Sequence, residues 1–147
     1  MPRNLPEIHF ASEGIRFRLR NKSELESWLV SLARSHKRKI HVLYYIFVSD
    51  EQLLQMNKKF LRHNTYTDII TFDLSNEGKN SPIQGEIYIS AERVAENAAK
   101  FKVTKTEELH RVMAHGLLHL CGFGDKTPAQ AKRMRREEEK ALVLRKF

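Results

Sequence analysis

Between Thr104 and Asp125 the chain reads TKTEELHRVMAHGLLHLCGFGD, and no other stretch restricts the possible folds as much. Leu109, Val112, Met113, Leu117 and Leu120 recur at three- and four-residue steps, the apolar stripe of an amphipathic helix laid on a core. Glu108, Arg111, His115 and His119 share a different face, so one side packs while the other is left for chemistry. Thr104 with Glu107 has the spacing of a capping box, and Gly122 stands where a left-handed residue would end the helix. The helix is therefore bounded at both ends by its own sequence.

His115 and His119 are one helical turn apart, a spacing that brings both imidazoles within reach of a single metal ion. Gly122 and Gly124 let the chain fold back, and Asp125 then arrives beside the pair, completing the frame HxxxHxxGxxD. Two imidazoles and one carboxylate leave a tetrahedral ion with an open position, as catalytic zinc sites do, whereas structural sites are closed by four ligands rich in cysteine. Water at such an ion has its pKa lowered from about 16 to roughly 7, and the ion polarises a phosphoryl or carbonyl oxygen. That is hydrolase chemistry.

The bland reading, in which helical histidines are ordinary core or surface residues, applies to His110. It lies about 140° around the wheel from His115 and cannot join the same ion. Cys121, the single cysteine, lies about 140° from the midpoint of His115 and His119, which makes it a packed thiol and leaves no internal disulfide.

The 147 residues suit one soluble domain, 1–147, and the longest apolar run, Val42 to Val48, falls far short of the roughly 20 residues of a membrane helix. The opening MPRNLPEIHF has no signal-peptide core, so a cytoplasmic protein with no membrane partner is expected. The formal net charge of +8 favours a polyanionic partner, nucleic acid first among them.

Along the chain, Glu7 to Ala11 and Ile15 to Leu19 read as short strands, the second with Arg16, Arg18 and Arg20 on one face, either a phosphate grip or a solvated face. Ser23 with Glu26 is expected to cap a helix that buries Leu25, Trp28, Leu29 and Leu32. Ile40 to Val48 is a buried strand, and Ser49 or Asp50 caps a helix carrying Leu53, Leu54, Asn57 and Phe60. Arg62 to Thr67 is a polar turn, Ile69 to Phe72 a strand, Ser75 to Pro82 a loop, and Glu86 to Ser90 a further strand. Ala91 to Phe101 is a short helix, and a last helix begins near Pro128. It carries Lys132, Arg133, Arg135 and Arg136, which either bind phosphate or pair with Glu137 to Glu139.

HGLLHLCGF, with the upstream blocks TDIITF (Thr67 to Phe72) and GEIYIS (Gly85 to Ser90), resembles the YbeY family, endoribonucleases or rRNA maturation factors of bacteria. The resemblance runs from about Ile40 to the last helix. It implies an α+β, zincin-like fold, with a mixed sheet and helices around a central metal-bearing helix. The function it implies is that of a metal-dependent, single-strand-specific endoribonuclease in 16S rRNA 3′-end maturation and ribosome quality control, acting on the small subunit and not on DNA. Carried over, the ligands of one divalent ion, Zn2+ first and Ni2+ second, are His115, His119 and Asp125, the last standing where most members have histidine. The family's arginine before the TDxxxF block aligns with Leu61, and Arg62, one position along, is the candidate for stabilising charge on the phosphate.

Two rivals remain. A zinc peptidase shares the ligand spacing but needs Glu at position 116, where this chain has Gly116. A non-catalytic, ribosome-associated RNA-binding protein would use the metal only to lock the turn after the helix.

Overall fold

The fold is taken from a computed structural model that describes residues 5–76 and 81–147. Its first half alternates strand and helix: β1 (Glu7–Ser12), α1 (Lys22–Ser35), β2 (Ile40–Val48), α2 (Asp50–Leu61), β3 (Ile69–Asp73) and β4 (Ile83–Ser90). Three helices follow, α3 (Ala91–Phe101), α4 (Lys105–Leu120) and α5 (Pro128–Val143). The sheet order is β1-β2-β4-β3, with β1 and β4 parallel to β2 and β3 antiparallel to β4. This is the mixed sheet of an α+β protein.

Leu43, Tyr45 and Phe47 of β2 and Ile87 and Ile89 of β4 are buried on one face of the sheet. Met113, Ala114, Leu117 and Leu118 of α4 join the same core, so the histidine-bearing helix lies on the sheet as its apolar stripe requires. Tyr45 Oη donates to the Met113 carbonyl at 2.8 Å, and Trp28 Nε1 donates to the Ala141 carbonyl at 2.8 Å. Each buried polar tip thus has a partner, and Trp28 serves packing.

Gly116 and Gly85 set how near α4 comes to the sheet. A Cβ at Gly116 would stand 2.9 Å from Ile87 Cδ1 and 3.0 Å from Ile69 Cδ1, and one at Gly85 would stand 2.7 Å from Leu120 Cδ1. Gly116→Val is therefore expected to lose about 2 kcal/mol of unfolding free energy through overpacking, read by urea denaturation. An unchanged midpoint would mean that helix and sheet separate without cost.

Three local expectations differ from the structure. The stretch from Ile15 to Leu19 is not a strand: pairing of β1 with β2 ends at Ser12 opposite Phe47, and Gly14, at φ +70°, turns the chain off the sheet. Its alternation survives without a ladder, because Leu19 is buried while Arg16, Arg18 and Arg20 are exposed. Helix α1 begins one residue before Ser23, behind a left-handed Asn21 that makes no side-chain cap, so the Ser23–Glu26 spacing caps nothing. Phe60 is exposed on α2 and meets Phe72 edge-on. Thr104 caps α4 through the Glu107 amide, but the Glu107 carboxylate turns to Arg145, so the box is half made. Ser49 caps α2 as expected. The loop expected from Ser75 to Pro82 lies partly outside the described residues.

His110 is a structural residue. It is buried against Trp28 and Phe147, and its Nδ1 accepts from Arg145 at 2.7 Å, which places the ring proton on Nε2. Burial first, then the neighbouring guanidinium, lower its pKa from the usual 6.5 to about 4. The unfolded chain takes up this proton near pH 6.5 and the folded chain only near pH 4, so stability is lost as pH falls through that window. Between about pH 8 and pH 5 the loss is expected to be about 2 kcal/mol, and a His110→Gln variant should lack it. Identical acid dependence in the two proteins would contradict the assignment.

Candidate metal centre

The end of α4 is a Schellman motif. Gly122 is at φ +111°, its amide donates to the His119 carbonyl, and the Phe123 amide donates to the Leu118 carbonyl, both at 3.0 Å. The turn has a second consequence. His119 Nδ1 lies 2.8 Å from the Phe123 carbonyl, and since a carbonyl only accepts, Nδ1 carries the proton and Nε2 is left with its lone pair. The bend that stops the helix also sets the tautomer of one candidate ligand.

After the bend, Thr127 and Gln130 form a full capping box at the start of α5, and Gln130 Oε1 also accepts from the Lys126 amide at 3.1 Å. Asp125 is thus held between two capped helices. Its Oδ2 stands 3.4 Å from His115 Nε2 and 3.3 Å from His119 Nε2. Two ligands bound tetrahedrally at about 2.0–2.1 Å are separated by about 3.3–3.4 Å. The donor atoms therefore already stand where one ion could be held, and the group His115, His119 and Asp125 could hold a metal.

His115 is held from α5. Its Nδ1 lies 2.7 Å from Glu138 Oε2, so this nitrogen also donates and Nε2 faces the centre. Glu138 is buried, and its other oxygen accepts from Arg111 at 3.2 Å, while Arg111 reaches Glu139 at 2.9 Å. Burial pulls the pKa of His115 down, but Glu138, Asp125 and Asp68 together outweigh it, and the result is raised. The local field thus favours positive charge at this point, as a cation site requires. Asp68 is raised by burial, against the pull of His115. Neither Glu138 nor Asp68 follows from the helical spacing.

Two cavities meet at His115. One, of about 550 Å³, is bordered by Thr67, Thr71, His119, Asp125 and Lys126, with Leu61 on its wall. The other, of about 520 Å³, runs between α3, α4 and α5. Asp68 and Ile69 line both. Arg62 is exposed at the left-handed cap of α2 and lines neither cavity, whereas Leu61 does. Among the described residues, Lys126 is the basic side chain bordering the first cavity besides the histidines. Cys121 packs beside the core, where burial raises its thiol pKa to about 11, which makes it inert.

Arg135 is the one member of the basic group on α5 that borders a cavity here, and Arg133 lies over the Phe123 ring at 5.1 Å. The first outcome expected of Arg16, Arg18 and Arg20, a phosphate grip, finds no support in their placement: none borders either cavity.

The family model described as endoribonuclease YbeY matches residues 7–145. The chain belongs to that family. It is 49% identical over 140 residues to the endoribonuclease YbeY of Cytophaga hutchinsonii, covering 95% of this chain and 96% of that one. It is 42% identical to the protein of the same description from Bacteroides fragilis, covering 95% and 98%. The solution structure of TM1509 from Thermotoga maritima superposes with a TM-score of 0.64 at 27% identity, over 93% of this chain and 87% of that one. An endoribonuclease role follows from this membership, and RNA is the substrate it implies. No helix among the described residues is long and apolar enough to cross a membrane.

Proposed function

We propose that the endoribonuclease reaction of this chain runs at one divalent ion held by His115, His119 and Asp125, zinc first and nickel second. The observation that carries this reading is the approach of Asp125 Oδ2 to both Nε2 atoms at tetrahedral-edge distances. The proposed substrate is single-stranded RNA at the 3′ end of 16S rRNA in the small subunit, met in the cytoplasm, and residues 1–147 act as one hydrolase domain.

Such an ion, when bound, supplies an activated water and a Lewis acid for a phosphoryl oxygen. The chain supplies the rest. Glu138 and the Phe123 carbonyl hold the two imidazoles with Nε2 turned to the centre. Lys126, at the border of the 550 Å³ cavity, balances negative charge on the phosphate, a role its position supports over that of Arg62.

Peptidase chemistry needs a glutamate at position 116, and there the glycine is pressed against Ile87 and Ile69. Purified protein is to be incubated with a single-stranded 16S 3′ fragment, its deoxy analogue and an unfolded protein. RNA cleavage that a chelator abolishes, with the other two substrates intact, is the expected result. Proteolysis would overturn the reading in favour of the peptidase, and RNA binding without cleavage would leave the metal a purely structural part.

A further inference from the structure

Away from the metal centre, α1 ends in the basic run His36 to Lys39, none of which belongs to the candidate ion site. There α1, the start of β2 and residues 5–6 enclose a cavity of about 600 Å³. Arg34, Lys37, Arg38 and Lys39 line it, the rest of its wall is apolar, and no carboxylate borders it. Arg34, Lys37 and Lys39 are exposed and, among the described residues, none of them forms an ion pair. Glu137, which meets His36 at 3.6 Å, is also held by Lys140 at 3.3 Å.

Basic residues have an ordinary reason to stand at the end of a helix, where the last carbonyls carry about half a negative charge. That need is already met here. The Ala33 and Arg34 carbonyls accept from the backbone amides of His36, Lys37 and Arg38, and Arg38 donates through Nη1 and Nη2 to the Leu120 and Ser81 carbonyls at 3.3 and 3.2 Å. Setting Arg38 aside, three full charges remain in a concave surface, several times what the helix end offsets. Such a surplus concentrates anions.

The cavity is tied to the metal centre through the turn after α4. Arg38 holds the carbonyl of Leu120, the residue after His119. His36 meets the Phe123 ring edge-on at 5.1 Å, Arg133 lies over the same ring at 5.1 Å, and the Phe123 carbonyl orients His119. Cationic groups therefore continue from Lys126 at the metal cavity, past Arg133 and through His36, to the run at the end of α1. A single RNA strand carries a phosphate at every nucleotide and meets successive cations along such a track. An acidic protein segment would account for the cavity but not for the continuation to Lys126.

We propose that the cavity at the end of α1 receives the sugar-phosphate backbone of the RNA some nucleotides away from the scissile bond, with Arg34, Lys37 and Lys39 as its phosphate contacts. The assignment rests on the RNA-cleaving reading above and extends it to the flank of the substrate, but its test does not pass through cleavage.

The test is fluorescence anisotropy of the zinc-loaded full chain with a labelled, single-stranded 2′-O-methyl fragment of the 16S 3′ end, followed as salt is raised. Two variants that each lose three charges are compared. One carries Arg34→Gln, Lys37→Gln and Lys39→Gln, and the other, on a different part of the surface, Arg16→Gln, Arg18→Gln and Arg20→Gln. All six side chains are exposed, so both variants are expected to keep the melting temperature of the unaltered chain. The first should bind at least ~10-fold more weakly and lower the slope of log affinity against log salt by about 2, since each single-strand phosphate contact contributes about 0.7. The second should stay within about twofold of the unaltered chain. Equal weakening by both variants would show bulk charge and no site, and unchanged affinity in the first would show no contact; either result overturns the proposal. Loss of polyglutamate binding with RNA affinity intact would give the cavity to an acidic protein segment and overturn it as well. Cleavage of the unmodified 16S fragment by the unaltered chain is measured alongside. Cleavage with equal RNA binding by both variants removes the backbone site alone, and weakened binding in the first variant without cleavage by the unaltered chain removes the metal reading alone.

Discussion

Alanine at both His115 and His119 is expected to take the bound metal from about one ion per chain to none and to lower RNA cleavage by at least ~10³-fold. The size follows from what the ion does: stabilising charge on the reacting phosphate is worth several kcal/mol, and each 1.4 kcal/mol is about a factor of ten in rate. The two side chains are also tied to the scaffold, His115 to Glu138 and His119 to the Phe123 carbonyl. The variant therefore needs a denaturation curve beside the metal analysis. Folded protein with an empty site is the expected state. Full metal occupancy in the double variant would place the ion elsewhere.

The second large effect belongs to Glu138. It accepts from His115 Nδ1 at 2.7 Å and is braced by Arg111, so it fixes which nitrogen of His115 is free for the ion. Carboxylates in this position contribute 10–100-fold to metal affinity. Glu138→Ala is expected to weaken zinc binding by about that factor in competition with a chromophoric chelator. Glu138→Gln should weaken it less, because the amide oxygen still accepts from Nδ1. A residue that only packed would lower the melting temperature of both variants and leave the zinc affinity unchanged.

The parts of the site that could be read from the sequence are those fixed by neighbours along the chain. His115 and His119 are one helical turn apart, Gly122 must be left-handed, and Asp125 follows within a few bonds, so local geometry alone brings them together. Caps at Ser49 and Thr104 were readable for the same reason. Glu138 was not, because its meeting with His115 depends on how α5 crosses α4, and in the sequence it sits in a run of three glutamates at surface-pair spacing. Thr127 with Gln130 has the same local spacing and is legible in the sequence in the same way.

The errors also have physical sources. Alternation at Ile15 to Leu19 reflects one side of the segment against the core, which the chain satisfies here without a partner strand. At Ser23 and Glu26 the spacing was right, but the chain enters α1 through a left-handed Asn21, which leaves the serine hydroxyl inside the helix. The resemblance places Arg62 one position along from the family's arginine, and the left-handed turn at that residue leaves it outside both cavities while Leu61 lines one.

X-ray absorption at the metal edge of the zinc-loaded protein tests the central claim most directly. Two imidazole nitrogens and one carboxylate oxygen, together with a further light-atom ligand, all at about 2.0–2.1 Å, are predicted. A sulfur shell at about 2.3 Å, which would bring in Cys121, or a shell with fewer than two imidazoles, would contradict the account.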